Sequence, residues 1–173
     1  MSEGGRVWKL GDNVDTDVLA PGLYMKQPLA ELAKHCLEAL DPGFAAQARP
    51  GDILVAGRNF GMGSSREQAV QTLTHLGVAA VLAKSFAGIF YRNALNLGLL
   101  ALVCPDTDKI GAGSRLIVRA AEGEAVDAAN GERFSCEPLP PHLLDMIADG
   151  GLVPHLERRL AKAAVGTDRE KRI

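Results

Sequence analysis

The chain has 173 residues, 47% hydrophobic and 23% charged, a globular balance that excludes a chain disordered throughout. Nineteen Lys and Arg against 21 Asp and Glu leave a formal charge of −2, so there is no basic footprint for nucleic acid or an anionic membrane. No apolar run approaches the roughly 20 residues of a membrane span, and the N-terminus lacks an apolar signal core, so a cytoplasmic location is the expectation.

Residues 7–20 read as a short strand and a turn-rich loop in which Asp12, Asp15 and Asp17 fall within six residues. Residues 29–40 predict a helix, because Leu29, Leu32, Ala33, Cys36 and Leu40 recur at three- and four-residue steps. Asp41-Pro42-Gly43 breaks it. Ile53–Ala56 is a short continuous apolar run, the pattern of a buried strand. A glycine-rich loop, Gly57–Gly63, leads to a predicted helix over Ser65–Leu76, with Gly77 at its C-terminal end. Val78–Ala83 is a second buried strand. Ser85 is placed to cap a second helix that ends at Gly98, and Leu99–Val103 is a third strand. This alternation predicts parallel strands.

Beyond Pro105 the texture changes. Arg115–Ala120 and Glu124–Ala128 read as strands, Asn130-Gly131 as a tight turn, and Arg133–Cys136 as a return strand. Helices are expected at 140–148 and 154–164, before a charged, frayed tail. The fold class is therefore α/β: a parallel α/β core with a smaller antiparallel β element.

Cys36, Cys104 and Cys136 are far apart with no CxxC pair, and the four histidines show no HxxxH or HExxH spacing. That set predicts ordinary thiols and no metal site in this chain. The segment with chemistry in it is Gly57-Arg58-Asn59-Phe60-Gly61-Met62-Gly63-Ser64-Ser65-Arg66, at the end of a strand and the start of a helix. Backbone N–H groups, two hydroxyls and a guanidinium fork make it a candidate anion pocket. A plain capping role stands beside that reading, since Ser64-x-x-Glu67 and Ser65-x-x-Gln68 both fit a capping box. The loop lacks the GxGxxG, P-loop and GxSxG patterns.

Four segments together resemble a known family. They are Gly11–Asp17, Pro50-Gly51-Asp52, Asn59–Glu67 and Ala83–Asn93, and their order and spacing match across residues 7 to 155. The chain is similar to the small subunits of 3-isopropylmalate dehydratase, and more distantly to the swivelling C-terminal domain of aconitase and homoaconitase. The resemblance implies a single swivelling β/β/α domain over residues 1–173, with a core at 7–155 and a C-terminal helix and tail at 156–173. It implies a hydro-lyase split over two chains, as a heterodimer or heterotetramer, acting on a dicarboxylate in leucine biosynthesis. A [4Fe–4S] cluster is expected on the large subunit and no cofactor on this one. Ser64 is implied as the base, Asp17 as a catalytic support at the subunit junction, and Arg66 and Ser65 as substrate-carboxylate contacts, with Gly63 beside them. Met25 and Lys26, in the loop Tyr24–Gln27, are implied to lie over the substrate, Lys26 where the family has an arginine.

Two positions depart from the family pattern. Met62 and Gln68 stand where relatives often carry Cys and His. This opens the substrate to other acids, such as a dimethylmalate, citramalate or homoaconitate, with a non-catalytic anion-binding domain as the alternative of another class.

Overall fold

The computed structural model describes residues 4–170. Its frame is one seven-stranded mixed sheet that shares a single strand, β1 (Gly5–Lys9), between two halves. On one side β1 pairs in parallel with β2 (Ile53–Ala56), which pairs with β3 (Ala80–Ala83), which pairs with β4 (Leu100–Val103). On the other side β1 pairs antiparallel with β5 (Arg115–Arg119), followed by β6 (Glu124–Asp127) and β7 (Arg133–Ser135). The expected parallel core with an antiparallel element is what forms.

Strands β2, β3 and β4 are apolar throughout because both faces are covered. Leu54, Val81 and Ala101 face one cluster, with Leu19, Leu32, Phe44, Phe60, Leu73 and Phe90. Ile53, Val55, Leu82 and Leu102 face a second cluster with Leu116, Phe134 and Met146. The first face is covered by α1 (Thr16–Leu19), α2 (Leu29–Ala33), α3 (Phe44–Gln47), α4 (Glu67–His75) and α5 (Gly88–Asn96). The second receives Met146 from α6 (Pro141–Ala148), after which α7 (Leu152–Glu170) runs on. Among the described residues, no helix is long and apolar enough to cross a membrane.

Several helix boundaries differ from the sequence expectation. The helix expected over 29–40 stops at Ala33 and continues as turns. Leu37 takes a left-handed conformation (φ 62°), and its N–H donates to Val18 O at 2.9 Å instead of to its own helix. The apolar stripe survives, since Leu32, Cys36 and Leu37 are buried, but Leu40 is 54% exposed. Helix α4 begins at Glu67 and not at Ser65, and α5 begins at Gly88 with Ala87 as its N-cap, so Ser85 does not cap it. Helix α7 spans 152–170, longer at both ends than the expected 154–164. The short α1 and α3 carry no clear periodic signal in the sequence.

Candidate active site

The carboxyl ends of β1, β2 and β3 lie side by side, and each feeds a loop at the same edge. In open α/β sheets this edge is where ligands sit. Here the three loops bond to one another. Asn13 N–H donates to Arg58 O at 2.8 Å, Gly61 N–H to Val14 O at 2.7 Å, and Thr16 N–H to Met62 O at 2.8 Å. On the other flank Phe60 N–H donates to Ser85 O at 3.0 Å and Ala87 N–H to Phe60 O at 2.9 Å. The Gly–Ser loop is thus a short extra strand between its neighbours, with bridges Asp15↔Met62 and Phe60↔Phe86.

Phe60 is fully buried and packs edge-on against Phe86 and Phe90, at centroid distances of 6.0 and 5.1 Å. Gly61 follows it at φ 79°, and a Cβ there would lie 2.1 Å from Phe90 Cγ. Glycine is needed on both counts. The aromatic anchor fixes the buried end of the loop, which then turns outward and exposes Gly63, Ser64 and Ser65.

The capping reading of the serines is not what forms. Arg66 is the N-cap residue of α4 and has no side-chain cap bond. Among the described residues, the hydroxyls of Ser64 and Ser65 make no hydrogen bond within the chain, and neither do the N–H groups of Glu67 and Gln68. A helix start with open donors and the positive end of its dipole favours negative charge. The two hydroxyls stand free beside it.

Arg66 is held from the other side. Its Nη1 donates to Asp17 Oδ1 at 2.5 Å and to Ala20 O at 3.0 Å. Asp17 Oδ1 also accepts the Gly22 N–H at 2.9 Å. The Arg66 guanidinium, then that N–H, hold the Asp17 carboxyl below its ordinary value. Ser64, Ser65, Arg66 and Asp17 are therefore one constellation, although 49 residues separate the ion pair in sequence. Met25 and Lys26 join it indirectly. Gly22 starts a 3-10 turn (Gly22–Tyr24) beside Asp17 and Arg66, and Met25 follows, half-buried against the helical core, with Lys26 exposed. Stacking of Tyr24 on His35, at 3.5 Å between centroids and 7° between planes, fixes this turn.

All three cysteines are free and buried, and burial pushes the Cys36 thiol up to about 12. Thiolate is the ligating form, so such a thiol is a poor metal ligand. No group of three or more His, Cys, Asp and Glu side chains is placed to hold a metal among the described residues.

The sequence profile of the aconitase C-terminal domain matches residues 21–107. A 3-isopropylmalate dehydratase small subunit from Archaeoglobus fulgidus is 47% identical over 160 residues, covering 91% of this chain and 96% of that one. The chain belongs to this family of dehydratase small subunits. Its fold agrees with the crystal structure of a 3-isopropylmalate dehydratase from Methanocaldococcus jannaschii, with a TM-score of 0.87, 41% identity, and coverage of 94% of this chain and 97% of that one. A methanogen homoaconitase small subunit from Methanothermobacter thermautotrophicus is 48% identical over 153 residues, 87% of this chain and 88% of that one. The small-subunit names of these relatives imply a large-subunit partner.

Sequence reading of this family member missed the residues that lock the loops together. Asp12 Oδ1 accepts the Arg58 N–H at 2.7 Å, and Ser85 Oγ accepts the Asn59 N–H at 2.8 Å. Asn59 Nδ2 donates to Asn13 Oδ1 at 3.2 Å. Both asparagines are left-handed, at φ 57° and 58°. A signal was available, because asparagine is the side-chain-bearing residue that best tolerates this region.

Proposed function

We propose that the chain supplies one wall of an active site completed by an iron–sulfur large subunit, and acts there as a single swivelling domain. The reaction is the dehydration of 2-isopropylmalate to a cis-alkene diacid and its rehydration to 3-isopropylmalate. In the forward direction Ser64 Oγ, as its alkoxide, takes a proton from the carbon next to a carboxylate, the C–OH bond breaks with the electron pair leaving on hydroxide, and the proton taken by Ser64 joins that hydroxide, so that water is released and the alkoxide is restored. Re-addition of water at the other carbon gives the isomer. The partner's cluster, when bound, supplies a Lewis acid for the departing hydroxyl.

The observation that carries this reading is the uncapped start of α4, with the Ser64 and Ser65 hydroxyls unpaired and Arg66 held in place by Asp17. An alcohol is a weak base until its alkoxide is stabilised. The open N–H groups, the helix dipole and the Arg66 charge all favour an anion there. Arg66 has donors beyond the Nη1 that meets Asp17, and these take a substrate carboxylate as a fork. Ser65 and the Gly63 backbone support the same carboxylate, and Asp17 orients Arg66. Met25 and Lys26 meet the variable end of the substrate.

A second reading keeps the chemistry and changes the substrate. The homoaconitase relative is as similar as the dehydratase relatives, and Lys26 offers a cation to an additional carboxylate. The test is assembly with the large subunit encoded in the same genome, followed by turnover of 2-isopropylmalate and homoaconitate. The expected outcome is activity only in the pair, with a higher kcat/KM for isopropylmalate. A preference for homoaconitate selects the second reading. A chain that binds no large subunit defeats both.

A further inference from the structure

We propose that Asn59 is a positioning residue that holds the Ser64–Arg66 segment in register with the Asp-rich turn through its side-chain bond to Asn13. This rests on the functional reading above but names a device outside the residues that meet substrate.

The main-chain bonds that stitch the three loops are made by residues on either side of Asn59, among them Arg58 O, the Phe60 and Gly61 N–H groups and Met62 O. They fix the fold without the Asn59 side chain. Yet Asn59 and Asn13 both sit at left-handed φ, and they face one another across two loops although 46 residues separate them in sequence. The Asn59 amide reaches Asn13 Oδ1 at 3.2 Å and Met62 Sδ at 3.4 Å, while its own N–H reaches Ser85 Oγ at 2.8 Å. One residue thus touches all three loops. Strained, side-chain-bearing residues that cluster in this way are a mark of functional positioning. The Asn13–Asn59 bond is exposed, so little stability depends on it. What it controls is the angle at which Met62, Gly63 and Ser64 leave the sheet edge. Angular errors in a catalytic group act on turnover and not on the fold.

The experiment is a double-mutant cycle in the assembled enzyme. Asn59→Gly keeps the left-handed backbone and removes the amide; Asn13→Gly removes its acceptor; Asn13→Asp retains an acceptor oxygen. We expect each glycine variant to lose roughly ten- to a hundredfold in kcat. KM should rise less than kcat falls, since Arg66 remains held by Asp17 and Ala20 O whatever the angle of the loop before it. The melting temperature should stay within about 2 °C. The double glycine variant should be no worse than either single one, and Asn13→Asp should keep most of the turnover. In the full chain without partner, amide exchange over residues 62–66 should quicken in Asn59→Gly. Turnover of Asn59→Gly within about twofold of the parent, losses that add in the double variant, or unchanged exchange would each overturn the proposal. If the parent pair turns over neither acid, the functional reading fails, while the exchange result still decides the role of Asn59.

Discussion

The two halves of the sheet use their polar groups in opposite ways. In the antiparallel half the bonding is local. Asp127 Oδ1 takes the Ala129 N–H, Asn130 Oδ1 takes the Glu132 N–H, and the Gly131 N–H closes on Asp127 O. Glu124 receives both Arg119 and Arg133, five and nine residues away. Most of these partners lie within a hairpin's length, the Ser135 N–H reaching Asp106 Oδ2, 29 residues away, being an exception, so little is left over for a ligand. At the carboxyl edge of the parallel half the bonds join residues 26, 46 and 49 positions apart. There the main chain is satisfied by neighbouring loops, and the Ser64 and Ser65 hydroxyls remain unused beside an open helix start. Polar groups available for chemistry appear where distant loops, and not local turns, complete the backbone.

The sharpest way to break this contrast is to remove one hydroxyl from each half. Ser64→Ala should lower kcat in the assembled enzyme by ~10²–10⁴-fold, the size of a lost general base. It should leave stability within about 0.5 kcal/mol, because Ser64 caps nothing. Ser135→Ala, on β7, should leave both unchanged. Chemical denaturation and steady-state turnover of the two variants check this. A stability loss of 1 kcal/mol or more in Ser64→Ala, with turnover intact, would restore the capping role instead.

A second pair of substitutions separates space from backbone conformation. Gly61 and Gly131 have similar φ, 79° and 74°, but a Cβ at Gly61 meets Phe90 at 2.1 Å, while nothing lies within 4 Å of one at Gly131. Gly131→Ala should cost about 1–2 kcal/mol, the strain of the left-handed region alone. Gly61→Ala adds a steric clash to that strain and should cost about 3 kcal/mol or more. Equal losses in urea denaturation would show that the aromatic anchor gives way, and that the loop is not fixed by it.

Much of this architecture is legible in the sequence because its determinants are local. The continuous apolar runs at 53–56, 78–83 and 99–103 give β2, β3 and β4, and Asn130-Gly131 gives the hairpin turn. What fails is what depends on distant partners. Ser85 looks like a cap, but its hydroxyl serves Asn59, 26 residues earlier. The helix from Leu29 looks continuous to Leu40, but Val18 O takes the Leu37 N–H. In the site, the Gly–Ser loop announces an anion pocket by itself. The partnership of Arg66 with Asp17 has no local signal, and the family resemblance names both residues without pairing them; the ion pair appears only in the structure.

A smaller effect is expected at that partnership. Arg66→Lys keeps the charge and loses the planar fork, so a single ammonium must choose between Asp17 and the substrate carboxylate. The result should be roughly a tenfold fall in kcat/KM, through both a raised KM and a lowered kcat. Arg133→Lys, in the hairpin, should change neither, since an ammonium can still meet Glu124 there. Steady-state kinetics on both variants decide whether the fork matters at the site alone.

The smallest effect separates the same two regions by pH. The Asp17 carboxyl is lowered by Arg66 first, and the Glu124 carboxyl by Arg119 first. A carboxylate whose folded value is depressed adds stability above its unfolded value, near 3.9 for aspartate and 4.3 for glutamate. That contribution disappears as the pH falls through the lower, folded value. Both pairs are exposed on the carboxylate or arginine side, so Asp17→Asn should cost no more than about 1 kcal/mol at neutral pH. The deficit should be constant from pH 7 down to about 5, then shrink towards zero in acid as the parent's own carboxylate is protonated. Glu124→Gln should follow the same course, beginning at slightly higher pH because glutamate starts from a higher reference value. Salt should erase the hairpin deficit more fully. Asp17 keeps a backbone bond to the Gly22 N–H, and its Arg66 partner also bonds to Ala20 O, contacts that screening affects less than the Coulombic attraction of an exposed pair. Denaturation midpoints measured from pH 3 to 7 at low and high salt test this. A deficit for Asp17→Asn that grows on acidification would mean that the carboxyl is raised, not lowered, and that Arg66 does not hold it in solution.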